Sequence, residues 1–201
     1  MPDLLVLCGD GPQARAIWGK RELGCLIGRN GAVEAKNKRE GDGATPLGRW
    51  AVKGLYYRAD KLGGDLFDAA GSGQQGAAIA AAGGQGAAGG GKIGKAITPA
   101  LGWCDDPADP LYNKPCEVGY AASHEVMWRD DDAYDIVAVL DYNLEGLKAA
   151  DGKGLGSAIF LHVWREGADH TEGCVALRKA DLLTVLEGDL EGVEVKRLGH
   201  Y

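Results

Sequence analysis

The stretch "IVAVL", residues 136–140, is apolar at every position. Successive side chains of a strand point to opposite faces, so this run reads as a strand buried on both sides. The other clear strand signal, "GSAIFLHVW" (156–164), alternates. Period two places Ile159, Leu161 and Val163 on one face, and Phe160, His162 and Trp164 on the other. Shorter apolar runs bounded by glycine or charge, "LLVL" (4–7), "RAIWG" (15–19) and "ELGCLIG" (22–28), have a meander pattern. A long polar loop over 36–52 leads into a strand starting near Arg49, and "VEVKRL" (193–198) is a last short strand. Leu182, Leu183 and Leu186 recur at helical spacing, with Gly188 as a stop. Many strands with one or two short helices predict a mainly-β sandwich or barrel, with one helix directly after Cys174.

Bulk properties narrow the function. The 201 residues suit a single domain, and 45% hydrophobic content is enough for a core. A net charge of −7 with no basic run argues against nucleic-acid binding, which requires cationic surface against phosphates. Five cysteines without a C-x-x-C pair argue against a disulfide framework or a zinc ribbon, although a Cys104–Cys116 bridge stays open. The first residues carry no basic segment ahead of their apolar run, so no signal peptide is expected, and no apolar run approaches a membrane span. Residues 69–91 are almost wholly Gly, Ala, Gln and Ser, which predicts a low-complexity insertion looped out of the domain. Within and beside it, "GAAGGGK" (86–92) imitates a phosphate-binding loop. Ile93 follows where Ser or Thr would hold magnesium, and no strand precedes it, so that reading is rejected.

The informative constellation is a strand, a loop, a cysteine and then a helix. His162 lies on the strand, and the loop "REGADHTEG" separates it from Cys174. That length lets the chain turn and return, so that thiol and imidazole meet. Thiolate is the nucleophilic form, and a neighbouring histidine favours it by ion pairing. Gly173 allows backbone N–H groups to approach a substrate carbonyl as an oxyanion hole requires, and a following helix would turn its positive end towards the thiolate. A cysteine in "GCVAL" is more often a small core residue, so spacing alone does not decide the question.

"SAIFLHVW…TEGCVALR" resembles the catalytic segment of the YkuD-type L,D-transpeptidases, cysteine enzymes that cross-link or modify bacterial peptidoglycan. His162, Thr171, Gly173 and Cys174 match that family's His, Ser/Thr, Gly and Cys. "KREGDGATPLGRW" (38–50) is similar to its Thr-Pro-x-Gly element, and "GWCDDPADPLYNKP" and "MWRDDDAYDIVAVLDYN" resemble a compact proteobacterial branch. The resemblance implies a β-sandwich or barrel of mixed sheets, Cys174 as nucleophile and His162 as its base, with no metal or organic cofactor. Two positions depart from it: Glu172 stands where the family usually has His, and Ala176 where it has Arg, with Arg178 nearby.

The resemblance further implies peptidoglycan stem peptides as the partner, a periplasmic location set by that substrate, and a monomer. The absence of an export signal in the given chain leaves a cytoplasmic location open. Thr171 and Glu172 are candidates to shape the substrate pocket, and Arg178, Arg49 and Arg58 to hold a stem-peptide carboxylate, since Arg matches a carboxylate bidentately. Thr45, Pro46 and Gly48 are expected in a structural loop near the site. Glu172 reads most simply as a solvated loop residue. If it lay beside the thiol it would raise the thiol pKa. His170 with His162 lacks the further ligands of a zinc site.

Overall fold

Alternation builds the first strands. In β1 (Asp3–Cys8), Leu4, Val6 and Cys8 are fully buried while the residues between them are partly exposed. A tight turn at Gly19 (φ +59°) joins β2 (Gln13–Trp18) to β3 (Arg21–Leu26). The computed structural model describes residues 3–63 and 94–199. The insertion expected at about 69–91, with the loop-like motif at 86–92, lies outside the described residues.

The chain continues through β4 (Ala32–Glu34), a 3-10 turn at Ala35–Asn37, the long β5 (Thr45–Tyr57) and the short helix α1 (Ala59–Leu62). Next come β6 (Gly94–Ala96), β7 (Leu101–Cys104), β8 (Pro115–Glu117) and β9 (His124–Val126). They are followed by β10 (Ile136–Leu140), β11 (Phe160–Val163), β12 (Val175–Leu177), α2 (Lys179–Glu187) and β13 (Gly192–Arg197).

Hydrogen bonding runs β10-β11-β12-β3-β2-β1-β13-β5 and returns from β5 to β10, closing a barrel. Pairings β1–β13 and β11–β12 are parallel and the rest of the ring is antiparallel. Closure removes the exposed strand edges that an open sheet would present. β4 and β6 add to β5 in parallel. A separate antiparallel sheet, β8-β7-β9, packs outside the barrel.

Two cores result. The barrel interior holds Leu4, Val6, Leu55, Ile136, Leu161, Val163, Val175 and Val193, with Leu182 and Val185 of α2 packed against them. Each such side chain contributes roughly 1.5–3 kcal/mol by leaving water. The second core lies outside the barrel, where Val137, Val139 and Phe160 meet Trp103, Met127 and Tyr134. "IVAVL" is therefore covered on both faces, as its composition demands.

Two expectations are corrected. β5 begins at Thr45, inside the stretch expected as loop, because Thr45 and Pro46 pair with Ala32 and Val33. The helix does not follow Cys174 directly: β12 intervenes, since Val175–Leu177 bridge β11 and β3. The positive end of α2 is thus a strand's length from the thiol. Cys104 and Cys116 are both free thiols. Among the described residues no helix is long and apolar enough to cross a membrane.

Candidate active site

The parallel register Leu161↔Val175, His162↔Ala176, Val163↔Leu177 organises the site. One residue earlier on both strands, the Phe160 N–H reaches Cys174 Sγ at 3.4 Å. Residues abreast in a strand pair share a face, so Phe160, His162, Cys174 and Ala176 point away from the barrel interior. His162 and Cys174 are diagonal neighbours there, and both line a cleft of about 940 Å³ between the barrel and the small sheet.

The imidazole is held from behind. Nδ1 lies 2.8 Å from the Val163 carbonyl, which can only accept, so Nδ1 carries the proton and Nε2 keeps its lone pair. The Tyr134 ring meets the imidazole edge-on at 5.4 Å. The thiol donates to the Ala158 carbonyl at 3.0 Å. Ala158 adopts a left-handed φ of +51°, and its N–H donates to Asn113 Oδ1 at 2.9 Å. Asn113, from the β7–β8 connection, also accepts the Trp103 indole N–H and donates to the Tyr142 and Asn143 carbonyls. A fully satisfied buried amide thus pins the backbone that receives the thiol.

Burial pushes the Cys174 thiol up to about 12. The Glu125 charge adds to this, while the Phe160 N–H and Lys38 oppose it. Burial also lowers the His162 imidazole to about 4. Low polarity disfavours the charged form of each group. At neutral pH the pair rests as thiol and imidazole, not as the ion pair expected from proximity alone.

The turn before Cys174 is tied to the start of β5. Thr45 Oγ1 donates to the Gly173 carbonyl at 2.9 Å and accepts the Gly28 N–H at 2.9 Å. Thr171 Oγ1 donates to the Cys174 carbonyl at 2.7 Å and accepts the Gly173 N–H at 3.2 Å. Gly173 has φ +133°, and a Cβ there would stand 3.0 Å from the Ala44 carbonyl oxygen, so only glycine fits without strain. Thr45 therefore holds this turn, and the Thr171 side chain closes it.

Glu172 sits at the exposed rim of the cleft, ion-paired with Arg29 and 3.8 Å from His170 Nε2. The carboxylate that raises the thiol's pKa is Glu125 on β9, which lines the cleft with Asp105 and Glu40. Three expected arginines are not among the cleft-lining residues. Arg49 pairs bidentately with Asp3, Arg58 pairs with Asp60 and lies over Trp128, and Arg178 lies over Trp164. The cationic groups on the cleft are instead Lys38, Arg129 and Arg165. Arg129 forms a bidentate pair with Asp131, at 2.9 and 2.6 Å, and this pairing holds the Asp131 carboxyl down at about 2. Glu125 follows a turn, the one local signal for it in the sequence; nothing local marks Asp105 or Lys38.

A family model, YkuD, the L,D-transpeptidase catalytic domain, matches residues 5–188. No curated protein matches the chain. The chain belongs to the YkuD family, whose members are cysteine-dependent L,D-transpeptidases of peptidoglycan.

Proposed function

We propose that the protein joins peptidoglycan stem peptides through a thioester on Cys174. The observation that carries this reading is the diagonal placement of Cys174 and His162 on one face of neighbouring parallel segments, in one cleft, with Nε2 left to accept a proton. The thiol turns from the Ala158 carbonyl towards Nε2 as the stem peptide enters. Nε2 takes the proton while sulfur attacks the peptide carbonyl. The Cys174 backbone N–H holds the oxyanion, a role for which backbone donors are suited, while the Gly173 N–H stays with Thr171 Oγ1 and keeps the turn closed. The leaving amine takes the proton back from the imidazolium, and a second amine, that of diaminopimelate, resolves the thioester. Thr171 keeps the turn in place, and Glu172 with Arg29 borders the entrance. Arg165, which lines the cleft and makes only a 3.6 Å contact with Asp131, is better placed for a stem-peptide carboxylate than Arg49, Arg58 or Arg178.

In its finer form the cross-link uses the L-alanine end of one stem. The protein works as a monomer at the wall, outside the cytoplasmic membrane. Incubating purified muropeptides with wild type and Cys174→Ala tests the reaction: cross-linked product is expected from the first and none from the second. Equal product from both overturns the proposal.

A second reading, wall binding without turnover, draws on the buried, uncharged thiol and its bond to Ala158. A carbapenem adduct on Cys174, read by intact mass, would exclude it. Hydrolysed stems in place of cross-links would identify water as the acceptor, making the protein a carboxypeptidase or amidase.

A further inference from the structure

We infer that Glu125 is a second catalytic residue of the cleft, taking a proton from the ammonium group of the acyl acceptor so that a free amine attacks the Cys174 thioester. The inference rests on the transpeptidase reading above and concerns its second half-reaction.

Glu125 projects from β9, on the small sheet that forms the wall opposite the barrel, and lines the same cleft as Cys174 and His162. Its Oε2 accepts the Tyr134 hydroxyl at 2.6 Å. The Tyr134 ring packs edge-on against both His162 and Phe160, so one side chain positions the carboxylate and the imidazole together. Asp105 belongs to the same wall, and its Oδ1 is buried with no hydrogen-bond partner among the described residues. Glu40 also lines the cleft, its Oε2 accepting the Tyr112 hydroxyl. The cations on the cleft are taken elsewhere: Arg129 is engaged bidentately by Asp131, Arg165 lies 3.6 Å from the same carboxylate, and Lys38 pairs with Asp42. Among the described residues, the wall therefore presents carboxylate that lacks a cation of its own.

Such a wall opposes the first half-reaction, because negative charge beside a thiol disfavours thiolate. It favours the arrival of a cation at the same place. Burial raises the Glu125 carboxyl above its usual range, with Asp105 and Glu40 adding to the shift and Tyr134 and Arg129 opposing it, which strengthens it as a proton acceptor. Peptide amines arrive protonated at neutral pH and cannot attack until one proton leaves.

In the step proposed, the Glu125 carboxylate accepts the first proton of the ammonium. The amine nitrogen forms a bond to the thioester carbon, and the C–S bond breaks with its electron pair going to sulfur. The second nitrogen proton passes through His162 Nε2 to the sulfur, restoring the thiol. Glu125 then releases its proton to solvent. No oxidant, metal or further reactant is required.

The test uses a purified disaccharide-tetrapeptide as donor with two acceptors at pH 7: glycinamide, which is largely an ammonium, and hydroxylamine, which is largely uncharged. With Glu125→Gln, transfer to glycinamide is expected to fall about 10-fold or more, in keeping with loss of a general base. Transfer to hydroxylamine should hold or rise, because removing the charge also eases thiolate formation, and the glycinamide deficit should shrink as pH is raised. Equal loss on both acceptors, or no loss on either, overturns the role of Glu125. Should Glu125→Gln fail to form the acyl-enzyme, Tyr134→Phe decides: a change confined to glycinamide supports the inference and an equal change overturns it. If the wild-type protein transfers to neither acceptor, the transpeptidase reading itself fails and the role of Glu125 falls with it.

Discussion

On their inner face, β11 and β12 place Leu161, Val163, Val175 and Leu177 among aliphatic neighbours of the barrel. On their outer face the same strands place Phe160, His162 and Cys174 against the wall of the small sheet. The inner face is satisfied by apolar volume, and its partners are close in the barrel ladder. The outer face depends on single hydrogen bonds from remote segments: Asn113 to Ala158, Thr45 to Gly173, Tyr134 to Glu125. One strand pair thus carries stability on one side and chemistry on the other. Substitutions one residue apart should separate the two.

The largest effect belongs to the outer face. His162→Gln is expected to lower the cross-linking rate by about 10²–10⁴-fold, the usual range for a general base, measured with muropeptides at pH 7. Wild-type turnover by this variant would break the assignment. On the inner face, Leu161→Ala should cost about 2–5 kcal/mol in urea denaturation, by lost burial and a cavity in the barrel. A loss below 1 kcal/mol would mean that the barrel interior repacks freely.

Acid sharpens the contrast. Burial holds His162 at about 4 against 6.5 for an ordinary imidazole, so the unfolded chain takes up the proton first as pH falls. The stability tied to neutral His162 is complete above pH 6.5 and is lost as pH falls towards 4. The urea midpoint of His162→Gln should accordingly change less than that of wild type between pH 7 and 4.5, whereas Leu161→Ala should track wild type in slope. Equal pH dependence of wild type and His162→Gln would overturn this. The smallest effect is expected at the rim: Glu172→Gln breaks an exposed pair with Arg29 and should stay within about 0.5 kcal/mol in the same assay.

Legibility followed distance along the chain. The two-faced cover of "IVAVL" and the split of Leu161 from His162 were readable because side-chain direction in a strand obeys period two. Cys174 and His162 were readable because one short loop returns the chain to the strand it left. The arginines were not. Arg49 is claimed by Asp3, Arg58 by Asp60 and Trp128, and Arg178 by Trp164, and no local pattern announces which partner a long flexible side chain will meet. The helix after Cys174 was displaced for a similar reason. Val175–Leu177 are few enough to read as a helix start until β3 and β11 supply hydrogen bonds on both sides.

From sequence alone, alternation determined a mainly-β chain with His162 on one strand face, and the short loop to Cys174 allowed thiol and imidazole to meet. Tertiary structure decided what surrounds them. It ran the barrel wall between the two cores, buried the thiol and imidazole until neither carries charge at rest, and set Glu125 in the cleft wall while leaving Glu172 at the exposed rim. These are consequences of solvent exclusion and of long-range charge, and both depend on which remote segments pack together.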